Sequence, residues 1–216
     1  MREFHIKKNP NQCGNLYSKS DISFEPGITV LVGCNGCGKT SLIKQIKISL
    51  EKEDIPYVYY DNLSDGGSNA RNRAGFYGNF DFLATSFCSS EGENIVLNMG
   101  NIASEMGALT RDNPEAKELW FLLDAVDSGL SIDNVVDMKE QLFSFVIEYN
   151  KGKDVYILIT ANAYEMCRGE KCFDTYAGQY IDFSSYEDYR NFILKSGKRK
   201  QKREESLRKR RKSKKL

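Results

Sequence analysis

ITVLVGCNGCGKTS, residues Ile28 to Ser41, divides into three parts that together set the fold. Ile28 to Val32 is an unbroken apolar run, which suits a strand buried on both faces. Gly33 to Thr40 fits G-x-x-x-x-G-K-[ST] in full. From Lys39 to about Glu51 the residues Leu42, Ile43, Ile46 and Leu50 recur at helical spacing and share one face. A strand, a glycine-rich turn and a helix in this order is the setting in which such a loop cradles phosphate. The glycines let the backbone curl so that successive N–H groups point at one oxygen cluster, and the helix N-terminus adds partial positive charge. Gly33, Cys34, Asn35, Gly36, Cys37, Gly38, Lys39, Thr40 and Ser41 are therefore the candidate nucleotide-binding residues. Lys39 reaches the β- and γ-oxygens, and the Thr40 hydroxyl ligates Mg²⁺. The competing reading is a connector that uses glycine only for tightness; the Lys-Thr pair and both flanks argue against it.

Outward from this stretch, strands are expected at Arg2–Lys7, Asp21–Phe24, Pro56–Tyr60, Leu119–Leu123 and Val155–Thr160. Helices are expected from about Glu93 to Leu109, with Ile95, Ile102, Met106 and Leu109 on one face, and from Asn134 to Tyr149. The second should turn Val135, Met138, Leu142, Phe145 and Tyr149 inward. Residues 61–80 read as a loop rich in Gly and Asn. Tyr176–Phe183 reads as a short extended segment and Ser185–Leu194 as a closing helix. Alternating strands and helices with apolar strands predict an α/β fold with a mostly parallel sheet flanked by helices.

The chain has 216 residues, 40% hydrophobic and 28% charged, enough for one domain with a buried core. No apolar run reaches the length of a membrane span, and MREFHIKKNPNQ at the start has no apolar signal region, so a cytoplasmic protein is expected. Six cysteines are too sparse for a disulfide scaffold. Cys34-x-x-Cys37 offers a zinc or redox reading, but both sulfurs lie inside the loop, where a metal would block phosphate. The net charge of +1 hides an asymmetry. Residues 198–216 hold 12 of the 31 Lys and Arg and 2 of the 30 Asp and Glu, leaving the tail at +10 and the remainder at −9.

Two further segments follow in order. Ser89-Ser90-Glu91-Gly92-Glu93 precedes the helix near Glu93. Trp120-Phe121-Leu122-Leu123-Asp124-Ala125-Val126-Asp127-Ser128-Gly129-Leu130-Ser131 is an apolar strand ending in a carboxylate and then a turn. With GCNGCGKTS, these resemble the Walker A loop, the signature motif and the Walker B strand with D-loop of ABC-type P-loop ATPases, in the form found in SMC and RecF head domains. The resemblance covers roughly residues 28–162. It implies an ABC-ATPase-like P-loop NTPase fold with a small N-terminal antiparallel β part. Residues 1–197 would form the ATP-binding domain, with 61–117 as a loop and signature-helix insertion, and 198–216 a basic tail. It further implies ATP and Mg²⁺ as ligands, with Thr40 and Asp124 holding the metal. Two copies would close head to tail, each completing the partner's ATP site with Ser90 and Gly92.

Three positions depart from the family pattern. The carboxylate that normally follows the Walker B Asp is replaced by Ala125, which can neither orient nor deprotonate water. Either Ala125 is native and hydrolysis is slow or differently arranged, or it stands in place of a glutamate so that ATP is trapped. The family's switch histidine falls at Ala161 or Asn162. The glutamine after the strand Pro56–Tyr60 falls at Asp61 or Asn62. Lys39, Asp124 and, as the nearest substitute carboxylate, Asp127 are the candidate catalytic residues. Tyr17 or Phe4 is a candidate to stack on a base, against a core-packing reading for both. The tail is expected to be disordered or to extend the closing helix. It would bind DNA or RNA through phosphate contacts, the rival partner being an acidic protein surface. The alternative to a slow ATPase clamp is a non-hydrolysing, nucleotide-gated subunit that recruits partners through this tail. A small-molecule kinase shares the glycine loop but predicts neither SSEGE nor DSGLS.

Overall fold

The computed structural model describes residues 1–9, 15–62 and 91–213, and the side chains of 91–98 and 210–213 are not described. The elements run β1 (Arg2–His5), β2 (Asp21–Phe24), β3 (Gly27–Val32), α1 (Lys39–Lys52), β4 (Tyr57–Asp61), α2 (Glu91–Asp112) and β5 (Glu118–Asp124). They continue with α3 (Ile132–Asp137), a π-helical segment (Met138–Phe143), α4 (Ser144–Tyr149) and β6 (Asp154–Thr160). α5 (Tyr164–Cys167), β7 (Lys171–Asp174), β8 (Gln179–Ile181) and α6 (Tyr186–Ser213) close the chain.

Six strands form one sheet in the order β4-β5-β6-β3-β7-β8, parallel except for the antiparallel edge strand β8. β1 and β2 make a separate antiparallel pair. The expected α/β architecture with a mostly parallel sheet and a small antiparallel part is what the chain adopts. Each central strand is buried on both faces, which explains its unbroken apolar sequence. Val30, Val32, Phe121, Leu123, Ile157 and Ile159 point to one layer, with Ile102 and Met106 of α2 and Tyr189 and Phe192 of α6. Leu31, Leu122, Leu158, Trp120 and Tyr156 point to the other, against Leu42, Ile43, Ile46 and Leu50 of α1 and against Phe4 and Phe24. Trp120 stacks on Tyr156 at 4.1 Å and meets the Phe4 ring edge-on at 5.2 Å. Parallel pairing brings the C-terminal ends of β3, β5, β6 and β7 to one rim. There Asp124 sits opposite Thr160, and Val32 opposite Asp174.

One strand goes beyond the sequence expectations and one helix departs from them. The strand β7 was not foreseen, because Lys171-Cys172-Phe173-Asp174 is four residues long with charged ends. The helix after β5 does not keep its register. Phe145 and Tyr149 are 63% and 65% exposed, whereas Phe143 and Val146 are buried. The π segment causes this: its wider turn inserts a residue into the 3.6 repeat, so the inward stripe moves by one position. Phe143→Ala is therefore expected to cost about 3–5 kcal/mol in urea unfolding. Phe145→Ala should stay within about 0.5 kcal/mol. A larger loss at Phe145 would restore the uninterrupted helix. Among the described residues no helix is long and apolar enough to cross a membrane.

Candidate functional site

The rim at the strand C-termini is where an open parallel sheet offers a crevice, and the glycine loop and Asp124 converge there. β3 ends at Val32, and the glycine loop carries the chain into α1. Gly38 caps α1 in the left-handed region, with φ 114°. A Cβ there would lie 3.2 Å from the Tyr17 ring, so this position requires glycine. The Tyr17 hydroxyl donates to the Gly38 carbonyl at 2.8 Å and fixes the loop to the core beneath it. Burial drives the Tyr17 phenol far above its usual range, so it stays a donor. No acidic residue occupies the first turn of α1, and the capping Gly38 supplies no side-chain acceptor.

Lys39 is nine-tenths buried; its ammonium donates to the Gly33 carbonyl at 2.8 Å and to Asn162 Oδ1 at 3.2 Å. It makes no ion pair among the described residues. Thr40 donates its hydroxyl to Asp124 Oδ1 at 3.1 Å, joining positions 84 residues apart. The same oxygen accepts from the Thr160 hydroxyl at 2.5 Å, and Thr160 Oγ1 in turn accepts the Ala125 N–H at 2.8 Å. Two hydroxyls thus orient the buried carboxylate at the end of β5. Ala125 itself is in the left-handed region, with φ 55°.

Asp127 has a different environment. Its Oδ2 accepts the N–H groups of Asn162 and Ala163 at 2.7 and 2.6 Å, and its Oδ1 is buried without a partner among the described residues. The Tyr189 hydroxyl donates to the Asn162 carbonyl at 2.7 Å. Asp127 therefore anchors the turn after β6, and through Asn162 it supports Lys39. It does not line the cleft in front of the loop. That cleft is about 480 Å³ and is bounded by Gly36, Gly38, Lys39, Thr40, Ser41, Asp124 and Ala125, with residues of α6 across it.

Of the positions singled out by sequence, Gly33 to Ser41 and Asp124 are brought together. Gly92 falls in the first turn of α2, and Ser90 lies outside the described residues, as do residues 63–89. Asn62 donates to the Ser128 carbonyl at 3.2 Å, tying the end of β4 to the turn after β5. Asp61 accepts from the Tyr59 hydroxyl at 3.3 Å. Tyr17 and Phe4 are core residues, 1% and 5% exposed, and so are not placed to stack on a base. Cys34 and Cys37 are free thiols, and no group of three or more His, Cys, Asp or Glu able to hold a metal occurs among the described residues. Burial pushes the Cys37 thiol above its ordinary pKa, which makes it inert packing rather than a nucleophile. Sequence reasoning missed Thr160 and the contribution of α6. Thr160 was legible as the polar end of an apolar strand; the α6 residues carried no apolar pattern. Comparison of the chain with protein-family models, curated proteins and solved structures finds no match.

Proposed function

We propose that the chain binds ATP with Mg²⁺ as an ABC-type P-loop ATPase, in which two copies close head to tail around two nucleotides and hydrolyse them slowly. The observation that carries this reading is the Thr40–Asp124 contact at 3.1 Å. It unites the two sequence motifs as hard oxygen donors at the mouth of a glycine loop, the donor set Mg²⁺ prefers. Magnesium bound there would neutralise phosphate charge. Lys39 would hold the β- and γ-oxygens, and the amides of the loop and of the first turn of α1 would take the remaining phosphate oxygens. By resemblance, Ser90 and Gly92 at the start of α2 would reach the partner's ATP. Exposed Lys198, Lys202, Arg208 and Lys209 on α6 offer a cationic face that suits the phosphate backbone of DNA or RNA. Four described cysteines are free thiols, in keeping with a cytoplasmic setting.

Light scattering with and without ATP–Mg²⁺ tests the clamp. The expected result is a monomer that doubles in mass with ATP. Ser90→Arg is expected to retain ATP binding in the monomer and to lose the doubling, because a bulky cation replaces the hydroxyl at the interface. An unchanged association in Ser90→Arg removes the signature assignment. The rival reading, a nucleotide-gated subunit without turnover, is favoured by Ala125, whose methyl group supplies no base, and by the engagement of Asp127 with main-chain donors. Phosphate release separates the two: turnover lost in Lys39→Ala marks the ATPase, and tight binding with no turnover marks the gate.

A further inference from the structure

Of the two expectations for the basic segment, the described residues follow the second: it extends the closing helix, and α6 runs without interruption from Tyr186 to Ser213 and crosses the mouth of the Lys39 cleft. Ser196, Arg199, Lys200, Arg203 and Leu207 follow one another at helical steps and are turned toward the body, whereas Lys198, Lys202, Arg208 and Lys209 are exposed. The inward stripe is fastened to the glycine loop. Ser196 Oγ accepts the Cys34 N–H at 3.1 Å, Lys200 Nζ donates to the Asn35 carbonyl at 3.0 Å, and Arg203 Nη2 donates to the Gly36 carbonyl at 3.3 Å. Arg199 lies 3.7 Å from Asp174. Gly36 makes the approach of Lys200 feasible: a Cβ at that position would sit 2.9 Å from its Nζ. Lys200, Arg203 and Glu204 line the same cleft as Lys39, Thr40 and Asp124.

The partners of these two cations are weak ones. Both donate to neutral main-chain carbonyls, which bind a cation less strongly than a phosphate oxygen does. Glu204 is 3.8 Å from Lys200, outside hydrogen-bond reach. Arg203 Nε is buried and has no hydrogen-bond partner among the described residues. A guanidinium fork with an unused donor, beside a buried lysine and a metal-type carboxylate, suits an oxyanion ligand.

We propose that Lys200 and Arg203 bind the phosphates of the nucleotide held at Lys39, so that α6 is a wall of the nucleotide site and favours nucleotides bearing β- and γ-phosphates. This rests on the nucleotide reading given above. A phosphate oxygen displaces the loop carbonyls as the acceptor for both side chains, and the outward cations of the same helix take no part.

Calorimetric titration of the full chain with ATP–Mg²⁺ and with AMP tests it in four proteins. They are the unsubstituted chain, Lys200→Gln with Arg203→Gln, Lys202→Gln with Arg208→Gln, and Lys39→Ala. The inward pair is expected to weaken ATP about tenfold or more and to leave AMP within about twofold. The outward pair, which removes the same charge, is expected to change ATP by less than about threefold. Equal losses for the inward and outward pairs would overturn the proposal while the effect of Lys39→Ala kept the nucleotide reading. Tighter ATP binding in the inward variant would also overturn it, marking the two cations as a plug. Absence of ATP binding by the unsubstituted chain would remove both readings together. If the inward double variant does not fold, Arg203→Lys carries the test: it keeps the charge and loses the fork. A several-fold loss for ATP alone supports the proposal, and no change overturns it.

Discussion

Lys39→Ala is expected to abolish detectable turnover and to weaken ATP–Mg²⁺ binding by about a hundredfold, while the melting temperature of the ligand-free protein changes little. The two halves of this result have separate causes. In the ligand-free chain the ammonium donates to the Gly33 carbonyl and to Asn162 Oδ1 and has no carboxylate partner among the described residues. Asn162 borders the open cleft, where water can replace the lost donor, and only the bond to the buried Gly33 carbonyl is given up, so the folded state loses little. With a polyphosphate present, the same ammonium makes charge-assisted bonds at two oxygens, each worth about 1.5–3 kcal/mol. Calorimetry and a phosphate-release assay read the two effects. An affinity within about threefold of the unsubstituted chain would sink the assignment of Lys39, because a bond to a charged group that can be lost so cheaply was never made.

Asp127→Ala should act in the opposite order, on stability first and on the site second. The carboxylate is buried and accepts two short bonds from the Asn162 and Ala163 amides. Removing it leaves both amides without this acceptor, and the turn after β6 loses its anchor. The expected loss is about 3 kcal/mol in urea unfolding, from two bonds to a charged group. Because Asn162 also accepts from Lys39, nucleotide affinity should fall with it. Asp127→Asn separates this positioning role from a role as base. Its amide oxygen can take the place of Oδ2 and accept both bonds, as a weaker neutral acceptor, so stability should be partly restored. If turnover returns with stability, Asp127 is a positioning residue. If stability returns and turnover stays lost, Asp127 is the substitute for the carboxylate missing at Ala125.

The parts of the fold legible in sequence were those governed by burial. ITVLV, LWFLL and VYILIT are apolar because both sheet faces are covered, and each is a central strand. The rim also followed, because Gly33 comes directly after one such strand, Asp124 ends another, and parallel pairing aligns the ends. What escaped was structure held by polar contacts or by a break in period. The stripe from Ser196 to Leu207 packs through hydrogen bonds and cations, so no hydropathy pattern marks it as a packed face. The π segment between α3 and α4 moved Phe145 and Tyr149 to the surface without leaving a composition signal. The anchoring contacts of Asp127, the candidate substitute carboxylate, escape sequence reading because its amide partners, Asn162 and Ala163, are 35 and 36 residues away.

The unbroken course of α6 has a mechanical consequence. Phe192 is seated in the core, Arg203 touches the glycine loop, and the helix continues to Ser213. At 1.5 Å of rise per residue, Arg203 is about 16 Å and Ser213 about 31 Å from that seat. A rigid rod pivoting at Phe192 therefore roughly doubles any displacement at the loop by the time it reaches its tip. A 1 Å adjustment at Gly36 would swing the far end by about 2 Å.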